Sequence, residues 1–243
     1  MQLTNKNKYT FLDGAMGTML QRAGLKLGER PEIFNITEPK IIEDIHRQYI
    51  NAGAEIIYTN TFGANELKLL STGYSVEQIV ESAVNIAKLA VKDTNVLVAL
   101  DIGPLGEMLE PNGTLTFERA YECFSRIIRA GVKAGCNLVV LETMTDLYEV
   151  KAGVLAAKEN SNLPLMVSMT FEQNGRTFTG CSIEAMATLL TGLDVDVIGI
   201  NCSLGPDEIL PLAAELCSYT DKPIFVPGPI AEIRYWFLSE GFS

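Results

Sequence analysis

Residues 117–142 read FERAYECFSRIIRAGVKAGCNLVVLE, and this stretch decides the fold. Phe117, Ala120, Phe124, Ile127, Ile128 and Gly131 recur at steps of three and four, which predicts a helix over 117–134 with one buried face. Gly135 follows at once, and glycine is the residue that most readily takes the left-handed turn ending a helix. Then comes Leu-Val-Val-Leu over 138–141, apolar at every position, closed by Glu142. A strand with one wet face alternates; an unbroken apolar run reads as a strand covered on both faces.

The same unit repeats outward in both directions. Strands are expected over 9–13, 55–60, 96–101, 138–142, 165–170, 195–201 and 223–226. Helices are expected over 39–52, 76–92, 117–134, 146–159, 183–190 and 207–218. Such alternation builds either an open doubly wound sheet or a closed barrel. No GxGxxG follows the first strand and no Walker loop follows any strand, which disfavours a nucleotide-binding open sheet. The expected fold class is α/β, a parallel (β/α)8 TIM-type barrel, for which 243 residues suffice. It is expected to be incomplete, with about seven strands and the last βα unit absent or replaced. Residues 1–226 form the barrel, and 227–243 (PGPIAEIRYWFLSEGFS) a divergent tail offering one short helix over 231–238 and no eighth strand. The edges of strands one and seven are therefore expected to lie open.

Composition removes several function classes. The formal net charge is −11, spread along the chain, which repels nucleic-acid phosphates and anionic membranes. The opening MQLTNKNKYTFLDG lacks the apolar run of a secretory leader, and no stretch is long and apolar enough to span a bilayer. Cysteines 123, 136, 181, 202 and 217 are scattered, odd in number and without CxxC spacing, as in a reducing compartment, so a cytoplasmic location is expected. His46 is the sole histidine, which leaves little room for histidine-based catalysis.

In barrels of this kind the active site gathers at the carboxyl ends of the strands. Those ends read Asp13, Asn60, Asp101, Glu142, Thr170 and Asn201-Cys202, a succession of polar groups that reads as a binding face. The segment Asp13-Gly14-Ala15-Met16-Gly17-Thr18 is either a nest of backbone N–H groups for a carboxylate or simply a tight βα turn. Glu142 suits a substrate ammonium or a salt bridge. Cys202 is a metal ligand, a nucleophile or packing, and Cys181 lies in a loop within reach of the mouth. Cys123, Cys136 and Cys217 read as core or surface filler. No lysine ends a strand, which disfavours a Schiff-base lyase.

At these residues the sequence resembles a known family. The strings LDGAMGTML (12–20), YTNTFGAN (58–65), LDIGPLGEMLEPNG (100–113), LETMTDLYEVKAG (141–153), MVSMTF (166–171) and INCSLGP (200–206) are similar, in collinear order, to the zinc-dependent homocysteine S-methyltransferases. The closest likeness is to the homocysteine-binding domain of the cobalamin-dependent members. The resemblance implies that Asp13 and Glu142 meet the ammonium of homocysteine, that N–H groups at Gly14, Ala15 and Met16 meet its carboxylate, and that Asn60 and Asn201 line the site. It implies that Cys202 is the first of three zinc-binding cysteines, with the substrate sulfur as fourth ligand. Zinc would ionise a thiol that otherwise titrates near pH 8.5. The sulfur then attacks the donor's methyl carbon to give methionine, with no independent catalytic residue. The donor is held by a separate domain or protein, so cobalamin or methylfolate enters only through domains absent from this sequence.

The family's second and third zinc cysteines stand in a Gly-Gly-Cys-Cys-Gly string, and this sequence has no Cys-Cys pair. The zinc site is thus expected to be incomplete and the isolated chain inactive. The expectation is a fragment; the other reading is a non-catalytic binding or assembly module completed by a partner chain that carries the missing strand and cysteines.

Overall fold

The computed structural model describes residues 9–201, 205–226 and 234–237. Eight strands run β1 (Tyr9–Leu12), β2 (Ile56–Tyr58), β3 (Leu97–Ile102), β4 (Leu138–Met144), β5 (Leu165–Met169), β6 (Val197–Ile200), β7 (Ile224–Val226) and β8 (Arg234–Phe237). Among the described residues the helices are α1 (Met16–Arg22), α2 (Phe34–Thr37), α3 (Pro39–Asn51), α4 (Glu66–Leu69), α5 (Val76–Ala90), α6 (Phe117–Ala134), α7 (Leu147–Asn160), α8 (Ile183–Gly192) and α9 (Pro206–Cys217). Helix α6 carries the boundaries its spacing predicts, with Thr116 accepting from the Arg119 N–H at its start and Gly135 at φ 90° ending it.

Strands β1 to β7 are parallel and ordered as in the sequence. The fold class is therefore the expected α/β barrel with seven parallel strands and its last βα unit replaced. The tail differs from expectation. Instead of a helix over 231–238, residues Arg234–Phe237 form a strand antiparallel to both β1 and β7. It pairs Leu12 with Arg234 and Tyr9 with Phe237 on one side, and Val226 with Tyr235 and Ile224 with Phe237 on the other. The physical reason is the edge itself: two rows of unpaired N–H and C=O groups are satisfied at once by one extended segment, whereas a helix satisfies neither. The edges expected to lie open are paired, and the ring of strands is closed.

Three apolar clusters fill the fold. Leu12, Ile56, Tyr58, Ala99, Leu138, Val140, Met166, Val197 and Phe225 pack inside the barrel. Two outer clusters lie between strands and helices, the larger holding Leu100, Val139, Leu141, Val167, Ile198 and the buried face of α6, the smaller joining α1, α3 and α5 to Ile57 and Val98. Each strand thus sends alternate side chains into the two layers. Two glycines are set by this packing. A Cβ on Gly131 would lie 2.4 Å from Leu100 Cδ2, so α6 rests directly on β3. A Cβ on Gly199 would lie 2.5 Å from both the ring and the carbonyl oxygen of its cross-strand partner Phe225. Gly199→Ala is expected to destabilise the fold by about 1–3 kcal/mol, read as a lowered denaturant midpoint, because backbone cannot yield as a side chain does.

Two buried ionisable groups lie in these layers. His46 on α3 is fully buried with neither ring nitrogen bonded among the described residues, and burial pushes it down to about 4. Glu149 on α7 accepts the Leu105 N–H at 2.7 Å, and burial pushes its carboxyl up to about 7. Their linkages oppose one another. Between pH 4.5 and 7 folded Glu149 keeps a proton that the unfolded chain releases, so its contribution to stability falls as pH rises. Between pH 6.5 and 4 folded His46 refuses a proton that the unfolded chain takes, so its contribution falls as pH falls. Glu149→Gln is expected to match the parent near pH 4.5 and to exceed it by on the order of 1–3 kcal/mol above pH 7, in urea titrations at both ends of that window.

Candidate functional site

The alternation that fills the barrel also decides what lines its mouth. Ile56 and Tyr58 point inward on β2, so Asn60 two residues on shares their side; Ala99 places Asp101 likewise, and Val140 places Glu142. Met166 sets Ser168 and Thr170 inward, and Val197 sets Gly199 and Asn201. Asp13 follows β1 directly, and its Oδ2 accepts the Tyr58 N–H at 2.8 Å. These polar residues are buried: Asp13 is 2% exposed, Asn60 5%, Asp101 7%, Glu142 4% and Asn201 0%. Five of the strand-end residues named from sequence thus form one rim over the apolar barrel core. Thr170 joins them, its Oγ1 buried and without a partner among the described residues.

Hydrogen bonds hold the rim from outside. The Asn60 amide donates to the Pro31 carbonyl at 2.8 Å and to Asn35 Oδ1 at 3.1 Å, while Asn35 Nδ2 returns a bond to the Asn60 carbonyl at 2.8 Å. Thr59 and Thr61 lie 2.7 Å apart through their hydroxyls; Thr61 donates to the Asp101 carbonyl, and the Asp101 N–H donates to Thr59 Oγ1. The end of β2 is thereby stitched to the end of β3. Asn35, Thr59, Thr61 and Ser168 were not singled out from sequence. Only Ser168, a hydroxyl inside the apolar run Leu165–Met169, carried a local signal.

On the opposite side β4 departs from regular geometry. Leu141 pairs with Val167 and Met144 with Met169, so three steps on β4 face two on β5. This is a β-bulge, and its extra residue keeps Met144 in the outer core while Glu142 and Thr143 face the single residue Ser168. Thr143 stands at φ 60°, a left-handed conformation that is an outlier for a β-branched residue. Such a conformation costs on the order of 1–3 kcal/mol and persists only where its surroundings impose it. Asn201 brackets this residue: its Oδ1 accepts the Thr143 N–H at 3.2 Å and the Ser168 hydroxyl at 3.1 Å, and its Nδ2 donates to Thr143 Oγ1 at 2.7 Å.

After β1, residues 13–15 form a short irregular link that leads into α1 through an extended Ala15. Met16 opens α1 and Gly17 lies in its first turn, and neither Gly14 nor Gly17 has a positive φ. Gly14 is buried, with Ala15 and Met16 partly exposed beside Asp13.

For a metal the picture is different. Cys202 falls outside the described residues. Cys123 and Cys136 are buried in the outer core, and burial pushes both thiols up to about 12. Cys181 is half-buried, with Sγ donating to the Ser182 carbonyl at 3.2 Å, and Cys217 ends α9. Among the described residues no group of three or more His, Cys, Asp or Glu is arranged to hold a metal ion. These donors do not fit a zinc ion, protonated core thiols least of all. Nor, among the described residues, is any helix long and apolar enough to cross a membrane.

Comparisons with known proteins agree with this architecture. The methionine synthase of Mycobacterium leprae is 31% identical over 232 residues, covering 88% of this chain and 19% of that protein. That of Mycobacterium tuberculosis matches to the same extent, so the chain spans about a fifth of the length of these curated relatives. Among solved structures, the metallated form of the homocysteine methyltransferase MmuM from Escherichia coli superposes with a TM-score of 0.83 at 22% identity, covering 92% of this chain and 84% of that one. Its oxidised form gives a TM-score of 0.84 at 22% identity, covering 93% and 84%. At that identity the likeness speaks for the barrel alone. A family model described as homocysteine S-methyltransferase matches residues 10–232. With that match across nearly the whole barrel, the chain belongs to the homocysteine S-methyltransferase family.

Proposed function

We propose that this mouth binds homocysteine and that the chain serves as the homocysteine-binding barrel of a zinc-dependent methyl transfer that gives methionine. The observation that carries the reading is the pair of buried carboxylates, Asp13 and Glu142, on the rim of a barrel from this family. Carboxylates form strong charge-assisted hydrogen bonds with an ammonium group, and an amino acid carries one. In this reading Asp13 and Glu142 take the ammonium, the N–H groups of Gly14, Ala15 and Met16 take the carboxylate, and Asn60 and Asn201 shape the walls. The apolar side chains beneath the rim exclude water from the substrate's methylene arm.

Methyl transfer requires the homocysteine thiol to lose its proton before the sulfur attacks the methyl carbon and the donor departs with the bonding pair. Zinc, when bound, would supply that ionisation. Cys202 is the one ligand proposed from this chain. This sequence carries no Cys-Cys pair to serve as the family's remaining ligands, and on that ground the isolated chain is proposed to bind but not to turn over. The methyl donor, whether cobalamin-borne or not, would be presented by another domain or protein. The binding unit is proposed to lie within residues 1–226, with the 227–243 tail contributing closure. Scattered free cysteines support a cytoplasmic location.

Calorimetry with homocysteine and with its des-amino analogue, 4-mercaptobutyrate, tests the carboxylate pair. Homocysteine is expected to bind and the analogue to lose at least tenfold, with Glu142→Gln narrowing the difference between them. Equal affinity of the two ligands for the parent chain would overturn the assignment. Cys202→Ala is expected to remove zinc retained after dialysis, as measured by atomic absorption. Unchanged retention would make that cysteine a packing residue.

A further inference from the structure

The bulge in β4 has a consequence for the site. On a regular strand, residues 138, 140 and 142 face inward and 143 outward, so the mouth layer would receive one residue from β4. The extra residue between Leu141 and Met144 delivers two, Glu142 and Thr143, opposite the single inward residue Ser168. It also rotates the chain around Glu142, because a left-handed residue directly after it turns the backbone sharply. Thr143 does not choose that turn for itself: β-branched side chains clash there, and glycine is the residue that takes it freely. The compensation comes from β6, where the fully buried Asn201 brackets Thr143 with one bond to its N–H and one to its hydroxyl. Ser168, donating to the same Asn201 oxygen, fixes the amide's orientation.

We propose that Asn201 is a positioning residue that sets the Glu142 carboxylate toward the substrate ammonium by locking Thr143 in its left-handed turn, rather than by touching the substrate. The inference rests on the homocysteine reading of the mouth, and deepens it by separating the group that binds from the group that aims. The Asn201 amide spends its oxygen on two protein donors and one N–H on a protein acceptor. Thr143 and Ser168 are thus partners in a clamp joining β4, β5 and β6. Strain held at a binding site in this way pre-organises the carboxylate before any ligand arrives.

Rescue tests the proposal. Asn201→Ala is expected to weaken homocysteine binding on the order of ten- to a hundredfold, since Thr143 then relaxes and Glu142 swings away. Thr143→Gly alone is expected to keep affinity within about threefold, because glycine holds the turn unaided. The decisive variant is Thr143→Gly/Asn201→Ala, expected to recover the affinity lost in Asn201→Ala and to fold even where that single variant does not. If the double variant folds but binds as poorly as Asn201→Ala, Asn201 contacts the substrate and the proposal is overturned. A readout independent of homocysteine separates this outcome from a wrong substrate. Ligand-free crystal structures should show the β4–β5 bulge lost or Thr143 at negative φ in Asn201→Ala, and the bulge restored in the double variant. A bulge unchanged in Asn201→Ala overturns the proposal whatever the chain binds.

Discussion

A closed ring of strands leaves its inward side chains no neighbours but one another. Each inward place along a strand therefore belongs either to a dry layer or to the mouth, and polar groups buried in either must find partners inside the protein. Leu12, Ile56, Ala99, Val140, Met166, Val197 and Phe225 make the dry layer, with Gly199 yielding its volume to Phe225. Two or four residues further along each strand stand Asn60, Asp101, Glu142, Ser168 and Asn201. The Asn35–Asn60, Thr59–Thr61–Asp101 and Asn201–Thr143–Ser168 bonds follow from the same requirement. Bonds of this kind restrain the rim, and a restrained rim binds at a lower cost in ordering.

Charge is handled differently at the mouth and in the layers behind it. Behind the barrel, burial favours the neutral forms of His46 and Glu149. Exterior charges are paired across helices, as where Arg126 of α6 meets Glu66 and Glu77. At the rim the carboxyl groups of Asp13, Asp101 and Glu142 stand at strand ends above an apolar core. A cationic amino-acid group is the ligand proposed for it. The departure of β4 from regular geometry lies at this same rim, consistent with strain concentrating where function needs a defined direction.

The closing strand shows how strongly edges constrain a fold. Three or four residues of tail suffice to pair β1 and β7 because both edges offer the same unsatisfied groups at a fixed spacing. Running antiparallel, the segment needs no crossover helix, which a parallel eighth strand demands.

The strand ends, the outer helices and the barrel itself were legible in the amino-acid order, because unbroken apolar runs and three-four spacing are local signals that survive without knowledge of the partner strand. Asp13, Asn60, Asp101, Glu142, Thr170 and Asn201 were legible as a rim for the same reason, each standing where such a run ends. Their support was not. Asn35 lies in a short helix far from β2 in sequence, and Thr143 looks like any threonine beside a glutamate until its partner strand sets the register. The tail likewise read as a helix, since extended pairing with two distant edges leaves no mark in four residues. What the sequence alone determined was where the strands and outer helices lie and which polar residues end the strands. Register, bulge and closure were decided only in three dimensions, because they depend on hydrogen bonds between segments that the chain brings together from far apart.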